Sequence, residues 1–210
     1  MTSPGGTKRV IGLTGGIGVG KTTAAAVLAD LGAVVVDCDA LGRLVAEPGG
    51  RAHDGIVERF GPTIVGDDGA LDRAALGAIV FNDADALADL NGLTHPAIDA
   101  EIDDRIAAAG PDAVVVLDMA VLVETDLGRG RYTEVLVIEA PLDQRLQRLA
   151  TTRAMSRDDA MARINSQATD DQRRAVADAV IVNDGSHEQL SLRLRSWWEA
   201  DDPSAAGRTP

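Results

Sequence analysis

Two kinds of segment alternate along the 210-residue chain. Uninterrupted apolar runs at 10–13, 33–36, 113–117, 134–138 and 180–182 read as strands buried on both faces. Between them the apolar positions recur at helical spacing, over 24–31, 40–46, 53–60, 73–81, 84–94, 142–153 and 156–167. Asp72 and Asp83 stand where helix N-caps belong, and Pro96 suits the first turn of a further helix reaching 109. Ser156 to Asp159 and Ser186 to Gln189 have the spacing of capping boxes, the second opening a closing helix that carries Trp197 and Trp198. Gly61-Pro62 and Asp67-Asp68-Gly69 read as turns.

Apolar strands alternating with helices predict an α/β fold, a parallel five-stranded sheet with helices on both faces. One domain is expected over 10–200, between disordered tails at 1–9 and 201–210. Hydrophobic residues make up 45% and charged residues 25%, an ordinary soluble composition without an apolar run long enough to cross a bilayer. A single cysteine, Cys38, excludes an internal disulfide framework and reads as a packed thiol. The expectation is a cytoplasmic protein without a membrane partner, working as a monomer. A net charge of −13 argues against nucleic acid, whose phosphates need a positive field.

The first strand leads into Thr14-Gly15-Gly16-Ile17-Gly18-Val19-Gly20-Lys21-Thr22-Thr23. Gly15 and Gly20-Lys21-Thr22 fit G-x-x-x-x-G-K-[ST], a loop that wraps nucleotide phosphates between strand and helix. Gly16 to Thr23 are therefore the expected ATP contacts. Lys21 would reach the β and γ phosphates and Thr22 would ligate Mg²⁺. The chain holds two lysines, Lys8 and Lys21, against eighteen arginines, so a lysine kept inside this loop is informative. No Asn-Lys-x-Asp pattern follows, which disfavours a GTPase.

Ligands of parallel sheets sit beyond the carboxyl ends of the strands, which selects Asp37, Asp39, Asp118 and Asn183 beside the loop. Asp39 follows Thr22 by seventeen residues, about one helix and one strand, where a carboxylate could take the proton of an acceptor hydroxyl. Asp37 could instead meet metal-bound water or begin a turn. Between 141 and 174 seven arginines face five aspartates, a locally positive segment in an acidic chain. Its arginines suit forked contacts to a transferring phosphoryl group, with Arg148 and Arg153 preferred. His95 before Pro96 could cap a helix at the crevice or be structural. A small kinase is the reading; an ATP-binding regulator without transfer is the alternative, and it would need neither Asp39 nor the arginines.

The motifs together resemble one family, bacterial dephospho-CoA kinases. The resemblance runs from 11–23 through Val36-Asp37-Cys38-Asp39 and Arg43, Asp68 to Arg73, Leu90-Asn91-Gly92 and His95-Pro96. It resumes with 118–124, 163–167 and 177–183, and covers nearly the whole chain. It implies a P-loop kinase-like fold with a helical acceptor-binding region over about 40–110 and a helical lid over about 141–174. It implies ATP with Mg²⁺ as phosphoryl donor and the 3′-hydroxyl of dephospho-CoA as acceptor, the last step to coenzyme A. Asp39 matches the family's catalytic aspartate, and Lys21 with Arg148 or Arg153 would serve the phosphates. Asp37, Arg43, His95, Asp118 and Glu124 fall in the acceptor motifs, and Asn183 near the adenine of ATP. Ala120 stands where the family has proline, so a looser loop is expected there.

Overall fold

The structure is a computed structural model, and it describes residues 8–200. Residues 1–7 and 201–210, which hold most of the two expected tails, lie outside the described residues. The elements in chain order are β1 (Val10–Thr14), α1 (Lys21–Asp30), β2 (Val34–Asp37), α2 (Cys38–Leu44), α3 (His53–Phe60), α4 (Arg73–Val80) and α5 (Ala84–Ala108). They continue as β3 (Val115–Asp118), β4 (Glu134–Glu139), α6 (Leu142–Arg153), α7 (Arg157–Asn165), α8 (Asp170–Arg174), β5 (Ala179–Val182) and α9 (His187–Ala200). A single turn of 3₁₀ helix covers Pro62–Ile64. The chain divides into two compact units, one of residues 1–36 with 109–210, the other 37–108.

The first unit is built on the sheet, five strands in the order β2-β3-β1-β4-β5. β1 lies parallel to β3 on one side, Leu13 opposite Asp118, and to β4 on the other, Thr14 opposite Val137. β5 adds parallel to β4, with Glu139 opposite Val182. These strands are continuous Val/Ile/Leu runs because both faces are covered. Ile11, Leu13, Val116, Leu136 and Ile138 have no measurable exposure and pack with Leu28 of α1 and Leu194 of α9 in one core. Trp197 and Trp198 pack against that core, and the Arg9 guanidinium lies over both rings, 5.4 and 5.7 Å from their centroids. The Ser186 hydroxyl accepts from the Gln189 N–H while the Gln189 carboxamide accepts from the Ser186 N–H, the reciprocal cap expected for α9.

The second unit is helical, as expected, with one difference. The two helices expected at 84–94 and 96–109 form one, α5, with Pro96 inside it. The prolyl ring removes one hydrogen bond and crowds the carbonyl four residues back, here that of Gly92, which carries no side chain to add to the clash. Buried Ala97, Ile98 and Ile102 hold the helix across the defect. In the first unit a five-residue helix, α8, lies at the end of the segment expected as a helical lid, beyond the last helix that periodicity placed there, at 156–167. Thr169 and Gln172 close a capping box around it, and its core contribution is a buried arginine instead of an apolar stripe. Such a helix has no hydrophobic periodicity to read.

At the start of α3 both nitrogens of His53 meet acceptors, Asp54 at 3.1 Å and the Gly69 carbonyl at 3.0 Å. The Asp54 carboxylate chiefly, then the carbonyl, raises the His53 pKa above 6.5. A raised folded-state pKa adds stability that is full below the unfolded value and is lost as pH rises through the folded one. We expect an NMR titration to place His53 above 6.5, and His53→Gln to narrow the stability gap between mildly acidic and alkaline solution. A midpoint at or below the free-histidine value would contradict this. In the sheet, Leu136→Ala should cost about 3 kcal/mol by cavity formation, read from the urea midpoint at unchanged slope.

Candidate active site

The carboxyl ends of β1, β3, β4 and β5 carry Thr14, Asp118, Glu139 and, one residue on, Asn183. The chain passes outward to β2, returns through β3 and then crosses to β4 and β5, so β1 ends where the strand order reverses. The loop 15–20 leaves from that point and enters α1 through Gly20, whose φ of 95° is left-handed; Gly18 sits at 81°. A Cβ on Gly15 would lie 2.6 Å from the Ile138 carbonyl oxygen, and one on Gly16 would lie 2.5 Å from Arg145 Nη2. On Gly20 it would collide with the Asn183 carboxamide. Glycine is required here by torsion and by space alike.

Side chains from later in the chain hold the loop's backbone. Asn183 Nδ2 donates to the Val19 carbonyl at 2.8 Å, and Arg145 Nε donates to the Ile17 carbonyl at 2.9 Å. Arg148 donates to the Val19 carbonyl at 3.2 Å, to that of Gly18 at 3.5 Å and to that of Asn183 at 3.0 Å. The Ile17 N–H donates to the Gln167 side chain at 2.8 Å. Three consecutive carbonyls are thus drawn to side-chain donors, while the N–H groups of Gly18 and Gly20 have no acceptor among the described residues. Those N–H groups and the free first turn of α1 form an anion cradle.

Lys21 is ion-paired with Asp118 across the end of β3, both side chains largely shielded from solvent. An arriving phosphate would have to draw Lys21 from this carboxylate. Thr22 is exposed and its hydroxyl has no partner among the described residues, whereas Thr23 is half-buried. No group of three or more His, Cys, Asp or Glu among the described residues could hold a metal. A Mg²⁺ bound mostly through nucleotide phosphates and waters needs no such group, so one hydroxyl at this position suits it.

A buried ionic network backs the loop. Arg145 of α6 and Arg173 of α8 are 4% and 1% exposed. Arg145 reaches Asp170 at 3.6 Å, and Arg173 reaches the same carboxylate at 3.8 Å and Glu124 at 3.1 Å. Glu124 Oε1 also accepts from the Ala168 N–H at 2.9 Å. Burial lowers the Arg145 pKa, Asp170 partly restores it, and the guanidinium remains a cation. Beside it Leu146, Leu149 and Ala160 form a small core that receives Ile17, so α6 and α7 are packed against the loop. Arg153 in the last turn of α6 is exposed without a partner among the described residues. Of the two preferred arginines, then, Arg148 is bound to the loop and Arg153 is unpaired. Arg145, Arg173 and Gln167 were not singled out from spacing alone. The available signal was Arg145 on the stripe of Leu142, Leu146 and Leu149, a charge where helical periodicity calls for an apolar residue.

In the second unit Asp37 ends β2 and caps α2, its carboxylate accepting from the Ala40 N–H at 2.8 Å. Asp39, two residues on, is exposed and has no partner among the described residues. Of the two carboxylates only Asp39 is uncommitted. Arg43 is exposed in the last turn of α2 and His95 is half-buried in α5.

A glycine-lined phosphate loop between the central strand and first helix of a parallel sheet defines a P-loop kinase-type α/β protein. A family model described as dephospho-CoA kinase matches residues 9–189. A curated dephospho-CoA kinase of Thermobifida fusca is 43% identical over 189 residues, covering 90% of this chain and 94% of the relative. The solved structure of TT1252 from Thermus thermophilus superposes with a TM-score of 0.79 at 31% identity, covering 93% of this chain and 99% of that one. A dephospho-CoA kinase from Campylobacter jejuni shares the fold at a TM-score of 0.62 and 23% identity, covering 92% and 97%. The chain belongs to the dephospho-CoA kinase family, which are ATP-dependent kinases.

Gly20→Ala tests the loop. The added methyl must meet Asn183 at a left-handed torsion, so we expect ATP affinity to fall roughly tenfold or more with the fold retained. Calorimetric titration with ATP would read the loss, and unchanged affinity would contradict the reading of the cradle.

Proposed function

We propose that the protein transfers the γ-phosphoryl group of ATP to the 3′-hydroxyl of dephospho-CoA in the cytoplasm, completing coenzyme A. The observation that carries this reading is the cradle of glycine N–H groups and Lys21 in a chain that matches the family along 9–189. The ATP phosphates lie on the N–H groups of the loop and the first turn of α1, with Lys21 moving from Asp118 to the β and γ oxygens. Thr22, together with the phosphates, would hold Mg²⁺, which would supply positive charge to the transferred group. Asp118, Arg43 and His95 contact the acceptor.

Asp39 is the base. It accepts the proton of the 3′-hydroxyl as the oxygen attacks the γ phosphorus, and ADP leaves with the bridging oxygen's electrons. Its lack of a partner among the described residues supports the role, since Asp37 beside it is committed to a cap. Arg153 is the better candidate for a phosphate contact made on closure of the segment 141–174. Arg148 instead holds the loop that does the binding.

Two measurements test this. ATP-dependent phosphorylation should be much faster on dephospho-CoA than on adenosine, gluconate or nucleoside monophosphates, and comparable rates on one of these would move the assignment to a neighbouring activity. Asp39→Asn should lower kcat by roughly 10²-fold or more while ATP still binds; an unchanged kcat would remove Asp39 from its role.

A further inference from the structure

Glu124 follows β3 in a motif expected at the acceptor, yet its carboxylate is committed to the segment that backs the phosphate loop. Its Oε1 accepts from the Ala168 N–H at 2.9 Å and from Arg173 Nη2 at 3.1 Å. Arg173 Nη1 donates in turn to the Ala168 carbonyl, which closes a ring of hydrogen bonds through the Ala168 backbone. Ala168 lies between α7 and α8, where no helix fixes the chain. One residue earlier, the Gln167 carboxamide accepts from the Ile17 N–H at 2.8 Å.

Arg173 depends on this carboxylate. It is 1% exposed, its Nε has no hydrogen-bond partner among the described residues, and Asp170 stands farther off at 3.8 Å. The same guanidinium lies against the loop, since a Cβ on Gly16 would be 3.5 Å from Arg173 Nη1. A buried cation that loses its nearest carboxylate is costly, and the chain relieves the cost by moving the cation toward water. Such a movement would release the Ala168 carbonyl and carry Gln167 away from Ile17. Ile17 stands between Gly16 and Gly18, whose torsions resist nothing, so its peptide keeps its orientation only while it is held from outside.

We propose that Glu124 is a positioning residue for the ATP phosphates, acting through Ala168 and Gln167 on Ile17 and through Arg173 on Gly16. The inference rests on the ATP-binding part of the proposed function and holds whichever hydroxyl accepts the phosphoryl group. Glu124 sets the shape of the cradle before the nucleotide arrives, so its loss is felt as weaker ATP binding.

Calorimetric titration with ATP, in the absence of acceptor, tests this on the wild-type chain, Glu124→Ala, Glu124→Gln and Gln167→Ala, with thermal unfolding run alongside. Glu124→Ala should weaken ATP binding roughly tenfold, because the loop must then be ordered as the ligand binds. Glu124→Gln keeps a carbonyl oxygen for both donors but no charge for Arg173, and should lose about threefold. Adding Glu124→Ala to Gln167→Ala should cost less than Glu124→Ala does alone, since the two residues act in series. In steady-state kinetics Glu124→Ala should raise the KM for ATP and leave that for dephospho-CoA within about twofold. Unchanged ATP affinity in folded Glu124→Ala or Glu124→Gln overturns the proposal, as do additive effects with Gln167→Ala. A rise confined to the KM for dephospho-CoA also overturns it, by placing Glu124 at the acceptor. Calorimetry decides the role of Glu124 even for a chain that leaves dephospho-CoA unphosphorylated, so failure of the functional reading is separable from failure of this one.

Discussion

The loop between β1 and α1 must hold a backbone that only glycine can adopt, and glycine contributes no side chain to hold it. The chain meets this by fastening the loop from outside. Asn183, Arg145, Arg148 and Gln167 bind the backbone of residues 17–19, and Ile17 is anchored in the small core of α6 and α7. Drawing the carbonyls toward these donors leaves N–H groups for an anion, so fixing the loop and aiming its dipoles are one act. Preorganisation of this kind lets a binding site avoid ordering its backbone when the ligand arrives.

The same fastening explains how a chain of net charge −13 keeps a phosphate site. Arg145 and Arg173 are buried directly behind the loop, each close to Asp170, and Arg173 also to Glu124. An isolated guanidinium at that depth would be costly, and shared carboxylates with backbone carbonyls offset the cost. The acidic surplus lies elsewhere, so the field at the loop is set by neighbours and not by the total.

Much of this was legible in the residues. The five strands, the helices flanking them and the reciprocal cap of α9 follow from apolar periodicity and cap chemistry, which act over a few residues. The loop was legible because its glycines, lysine and threonine are contiguous. α8 escaped because a five-residue helix that buries an arginine has no periodicity, and α5 looked like two helices because Pro96 is a local breaker that packing overrode. Asp37 and Asp39 looked alike in sequence; only the cap on α2 separates a structural carboxylate from an uncommitted one.

The sequence by itself determined that a nucleotide's phosphates have a cradle, that the fold is a parallel α/β sheet, and which family's motifs run along it. Each of those depends on neighbours in the chain. Tertiary structure alone decided which arginines serve the loop and which stay free, and that Lys21 rests on Asp118. It also decided that Glu124 meets the Ala168 backbone. The arginine contacts join residues up to 130 positions apart, as Gly18 and Arg148 are. No local propensity carries such pairings, because burial and hydrogen-bond partners are assigned only when the strands and helices have met.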